Sequence, residues 1–156
     1  MKGFQTFEST NSYTEKAAWV KEMVVRLEAN VSPDQYIKIM QDCGRKCCGL
    51  THRKLAREIW NESKSMSEFI DMLNKKGIGG GRLKLINNKT IKGGYNRCYC
   101  GLVKKTNKKF PTKTYCQCST GWYKQLFESA FEREVQVELL QSIITGAKTC
   151  EFVIHI

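Results

Sequence analysis

The sequence predicts an α+β fold in which N-terminal helices pack on a mostly antiparallel sheet with one crossing helix. Three observations carry that prediction. Apolar residues recur at helical spacing through residues 13–77, a glycine-rich break follows at residues 77–81, and beyond it short alternating segments with turn signals flank one further helical stripe. The 156 residues are expected to form one domain, with a helical half at 1–77 and a sheet-rich half at 82–156.

The elements follow in order. Ala17, Val20, Met23, Val24 and Leu27 form one stripe over residues 13–29, with Asn11, Ser12 or Thr14 as cap. Ser32-Pro33-Asp34 starts a second helix, with Ser32 as cap and Pro33 at the first helical position; Gly44 is expected to end it. Thr51 caps a third through Glu62, carrying Leu55, Ile59 and Trp60. Ser65 and Glu68 have capping-box spacing for a fourth, with Phe69, Ile70 and Leu73 inward and Gly77 as its stop. Residues 77–81 read as a flexible break. They are not a phosphate loop, because the Gly-Lys-Ser/Thr ending is missing and the run follows a helix.

Residues 82–86 alternate as a strand ending at the Asn87-Asn88 turn, and Gly93-Gly94 leads into a cysteine-bearing hairpin. Ser119 or Thr120 caps a helix through Phe131. Residues 135–140 and 150–156 read as two last strands joined through Thr145-Gly146-Ala147.

The hairpin carries the sharpest chemical expectation. Residues 95–103 and 112–118 flank a lysine-rich turn, and each arm holds a Cys-x-Cys pair. Side chains alternate along a strand, so each pair presents both thiols on one face. Centring the turn near Lys108 sets Cys98 opposite Cys118 and Cys100 opposite Cys116, a spacing that lets four thiolates share one tetrahedral ion. Zinc is the expected metal, with an iron–sulfur cluster as the lesser alternative. Cys118, next to a helix start, is also the candidate nucleophile. Cys47 and Cys48 are candidates to face the hairpin thiols and enlarge the site, with Arg45, Lys46, His52 and Arg53 lowering their pKa values, and the plain reading is one or two buried thiols near a helix end; Cys43 ends the second helix nearby. Cys150 reads as core. His52 reads as a surface residue, His155 as exposed, and Glu138 as lying opposite Val135 and Val137.

The balance of 26 basic against 15 acidic residues, a net charge of +11, points to an anionic partner. Lys104, Lys105, Lys108 and Lys109 at the turn are the anion-binding candidates, with solvation of a charged tip as the plain alternative. No apolar run is long enough to cross a bilayer, and residues 1–10 are polar with no signal-peptide core. A cytoplasmic location follows as an expectation, and there eight cysteines favour metal or thiol chemistry over structural disulfides.

The pattern Cys116-x-Cys118-x-x-Gly121-Trp122, then Val135-x-Val137-Glu138, Gly146 and Cys150-x-Phe152-x-Ile154, resembles the end of the 4-vinyl-reductase-like domain superfamily. That group includes ligand-binding domains near nitric-oxide-sensing and Golgi-transport proteins, and the amino-thiazoline-carboxylate hydrolase-like family. The resemblance covers residues 116–156 and implies an α/β ligand-binding fold, often dimeric, with a pocket between helices and sheet. It transfers no activity. The combined expectation is a cysteine-rich zinc-binding module with a small-molecule pocket, of sensor or carrier type. The alternatives are a hydrolase or thiol-redox enzyme using Cys118 or a metal-bound water, and a non-specific nucleic-acid binder without helix-turn-helix or stacking motifs.

Overall fold

A computed structural model describes residues 12–106 and 108–156. Among the described residues there are four helices and one four-stranded antiparallel sheet, the α+β class expected. The helices are α1 (Ser12–Asn30), α2 (Pro33–Glu62), α3 (Met66–Lys75) and α4 (Gln117–Phe131). The strands are β1 (Lys84–Asn87), β2 (Thr90–Tyr95), β3 (Gln136–Gln141) and β4 (Cys150–His155), in spatial order β1-β2-β4-β3. Asn11, one of the expected caps of α1, lies outside the described residues.

The caps work as their chemistry dictates. Ser32 is the N-cap of α2 with Pro33 behind it, and the Gln35 carboxamide oxygen accepts the Ser32 N–H at 3.1 Å. Ser65 Oγ accepts the Glu68 N–H at 3.2 Å, while the Glu68 carboxylate accepts the Lys64 N–H at 2.7 Å. Gly77 ends the turn after α3 in the left-handed region, φ 70°.

The second and third expected helices form two helical segments of α2 that meet at a kink. Gly44 does not stop α2; the interruption comes at Gly49, φ 67° and ψ 163°, and the helix resumes to Glu62. Gly44 serves another purpose. A Cβ there would lie 1.7 Å from the Cys118 carbonyl oxygen, and one at Gly121 would lie 2.0 Å from that of Gln41. The two glycines let α2 and α4 touch backbone to backbone. Across the same seam Arg45 grips both Glu128 carboxylate oxygens at 2.6 and 3.1 Å, and Gln41 donates to Thr120 Oγ1 at 3.1 Å.

α4 then lies over the inward face of the sheet. Tyr123, Leu126 and Phe127 meet Ile91, Phe152 and Ile154, all of them fully buried. The opposite face is polar, with Lys92 paired to Glu151 at 3.1 Å and Glu138 to His155 at 3.1 Å. His155 is exposed and Cys150 buried, as expected. The glycine run is packed, not loose: Ile78 and Gly79 are buried, and Tyr123 donates its hydroxyl to the Gly79 carbonyl at 2.9 Å.

Among the described residues no cysteine hairpin forms: β2 ends at Tyr95, and neither residues 96–103 nor residues 112–118 run as a strand. Tyr95 closes β2 opposite Cys150. Beyond it the Cys100 carbonyl accepts both Val103 and Lys104 N–H groups, which turns the chain away. Val103 and Phe110 bury themselves to pin the loop, and Thr114–Cys116 is a single 3₁₀ turn leading directly into α4.

Candidate thiol-lined site

The loop, the start of α4 and the start of β4 bring five of the eight cysteines to one end of the sheet. Cys98 and Cys100 come from the loop, Cys116 and Cys118 from the first turn region of α4, and Cys150 from β4. The cross-strand pairing of Cys98 with Cys118 and Cys100 with Cys116 is overturned with the hairpin. Each thiol has a different neighbour. Cys100 Sγ lies 3.1 Å from the Tyr115 hydroxyl, and Ser142 donates its hydroxyl to Cys116 Sγ at 3.0 Å. Among the described residues no group of three or more Cys, His, Asp or Glu side chains is placed to hold one metal ion. The four expected ligands are thus not gathered as one tetrahedral set in this arrangement.

Cys118 also departs from expectation. It sits inside the first turn of α4 instead of before its cap, half-buried beneath Gly44. Burial, then the nearby Cys100 thiol, push its pKa up to about 12. At neutral pH it is a protonated thiol, not an activated nucleophile. Cys47 and Cys48 part company. Cys47 is exposed and near enough to Cys118 to add to that upward shift. Cys48 points into the core, where burial raises it to about 11 against the opposing pull of Arg53. The surrounding cations do not win at Cys48, and Arg45 is engaged by Glu128. Cys43 and Cys47 are both exposed one turn apart on α2, because the helix continues through Gly44. His52 lies edge-on to Trp122, its Nδ1 3.0 Å from the Cys48 carbonyl oxygen.

A cavity of about 220 Å³ adjoins the thiols. Its wall includes Cys98, its apolar floor Val103 and Ile143, and its rim Lys104, Lys108 and Lys109. Lys105 of the expected anion-binding set does not line it. Two contacts shape the rim. The Phe110 N–H bonds the Ile144 carbonyl at 2.8 Å, and Gly146, φ 104°, leaves room for Lys109, whose Cε would lie 2.7 Å from a Cβ there. Lys113 donates to the Leu139 and Leu140 carbonyls at 2.8 and 3.1 Å, and so braces the loop. A second cavity, about 350 Å³, runs between α2 and α4 beside the Gly49 kink, lined by Arg53, Arg57 and Gln125 among others.

Sequence reasoning missed Ser142, Tyr115 and Ile143. Ser142, with no exposed surface, follows β3 as an ordinary polar residue; only the fold shows that it reaches Cys116. Among the described residues no helix is long and apolar enough to cross a membrane.

The architecture defines an α+β domain with a lysine-rimmed cavity beside Cys98 at one end of its sheet. The chain belongs to a family of unknown function (DUF6144), whose model matches residues 4–156. No curated protein matches it. Its fold is similar to that of a trafficking protein particle complex subunit 3 from Naegleria fowleri, solved covalently bound to palmitic acid. That likeness has a TM-score of 0.57 at 12% identity and covers 95% of this chain and 96% of the other. It is also similar to the phenol-responsive sensory domain of the transcription activator PoxR, solved with phenol, with a TM-score of 0.50 at 11% identity over 97% and 77% of the two chains.

Proposed function

We propose that this protein is a small-molecule-binding domain of sensor or carrier type, and that its ligand occupies the cavity beside Cys98. The observation that carries the reading is the composition of that cavity: an apolar floor of Val103 and Ile143 under three lysines. Such a site suits a compact ligand with an apolar body and one negative charge, since the floor gains from burial and the rim from ion pairing. The likeness to a phenol-responsive sensory domain and to a subunit solved with palmitic acid supports the small-molecule class. The resemblance of residues 116–156 to the 4-vinyl-reductase-like superfamily belongs to the same proposal.

Thermal unfolding of the full chain with benzoate, palmitate or phenol is the test. A carboxylate at a hundredfold excess over its Kd adds about 2.7 kcal/mol, which raises Tm by roughly 5–10 °C. The gain is lost when Lys104, Lys108 and Lys109 are replaced together by Ala. No shift with any of the three compounds, or an undiminished shift in the triple variant, counts against the site.

A further inference from the structure

Behind the cavity floor, two thiols share a hydrogen-bond chain that ligand binding does not use. Cys116 is the N-cap of α4 and Cys150 the first residue of β4, and both are buried, 7% and 5% exposed. Ser142 lies between them: its hydroxyl donates to Cys116 Sγ at 3.0 Å and accepts from the Cys150 thiol at 4.0 Å. Cys116 and Cys150 lie close enough to shift each other's pKa, and the Ile143 N–H donates to Cys150 Sγ at 3.3 Å. The chain has a direction. It runs from the Cys150 thiol to Ser142 and from Ser142 to Cys116, and the Ile143 N–H is a fixed donor that favours charge on Cys150. The nearness of Cys116 draws the Cys150 thiol below its ordinary range and holds Cys116 above it. Ile143 also lines the cavity, so the residue that donates to Cys150 Sγ borders that space.

We propose that Cys116 and Cys150 form a reversible disulfide site oxidised by hydroperoxides, with Cys150 as the attacking thiol and Cys116 as the resolving one. The Cys150 thiolate attacks a peroxide oxygen and the O–O bond breaks. An alkoxide or hydroxide leaves, taking a proton to become alcohol or water, and Cys150 is left as a sulfenic acid. Cys116 sulfur then attacks Cys150 sulfur; the S–O bond breaks, and the sulfenic hydroxyl departs as water with the Cys116 proton. Two thiols have lost two electrons to one peroxide, and a dithiol reductant reverses the change.

The test is peptide mapping under non-reducing conditions of the full chain, treated with hydrogen peroxide after complete reduction and then alkylated. A Cys116–Cys150 cross-linked peptide as the main product, with two thiols lost per chain and recovered by dithiothreitol, is the expected result. In C116S, Cys150 is trapped as a sulfenic acid by a 1,3-dione; in C150S neither the adduct at Cys116 nor the cross-link forms. Cross-links at Cys43–Cys47 or Cys98–Cys100, with Cys116 and Cys150 still reduced and alkylated only on unfolding, overturn the proposal. The map of the unsubstituted protein decides even where a variant fails to fold.

Discussion

Gly44 and Gly121 carry two of the tightest backbone approaches in the molecule, and neither announces its role in the sequence. A glycine inside a helical pattern reads as a stop, because it costs about 1 kcal/mol relative to Ala within a helix. Here the opposing backbone, invisible from the local sequence, makes that cost worthwhile. Gly44→Ala drives a methyl group into the Cys118 carbonyl. It should destabilise the fold by about 3 kcal/mol or more, lowering Tm by roughly 6–12 °C. Calorimetry of the variant checks this, and an unchanged Tm would mean that α2 and α4 stand further apart. At the same seam the Cys118 thiol has a consequence for pH. Its folded pKa is about 12 against an ordinary 9.0, so the native state keeps a proton that the unfolded chain releases. Cys118 thus stabilises the fold fully below pH 9, and that contribution is lost as pH rises from 9 through 12; Cys48, raised to about 11, acts in the same sense. Urea midpoints should fall across that window. At neutral pH, alkylation of Cys118 in the native chain should be slow, and fast alkylation would restore it as a nucleophile.

Among the elements, those defined by local chemistry were legible. The Ser32-Pro33 start, the Ser65–Glu68 cap and the last two strands lie where capping and periodicity put them, whereas α4 ends at Phe131 as expected but starts at Gln117, ahead of the expected caps Ser119 and Thr120. The hairpin was not legible, because alternation in residues 95–103 does not say where the strand ends. β2 stops at Tyr95, and the loop beyond it folds on Val103 and Phe110 instead. Two predictions belong here. The Arg45–Glu128 pair, only 30% and 18% exposed, joins α2 to α4 through two short bonds. A double-mutant cycle with Arg45→Met and Glu128→Gln should return a coupling of about 1–2 kcal/mol, and a coupling near zero would reduce it to a surface pair. At the kink, a Cβ on Gly49 would meet nothing within 4 Å, but the backbone there holds φ 67°. Gly49→Ala should therefore cost about 1–2 kcal/mol through backbone strain alone, read from the shift in urea midpoint.

At the scale of the molecule, the class of fold followed from the sequence, and the site followed only in part. The lysines and thiols singled out do gather at one end of the sheet. Their grouping differs: Lys104, Lys108 and Lys109 rim a cavity with Cys98, while Cys116 turns inward to Ser142 and Cys150. Long-range pairing made that division, since β4 brings Cys150 in from the far end of the chain. The measurement that tests the central claim most directly is a titration of methyl-labelled protein with benzoate, followed by NMR. Saturable shifts confined to Val103, Ile143 and Ile144, absent when the three rim lysines are replaced by Ala, are the expected result. No saturable shift, or shifts centred on Leu50 in the groove between α2 and α4, would contradict the account.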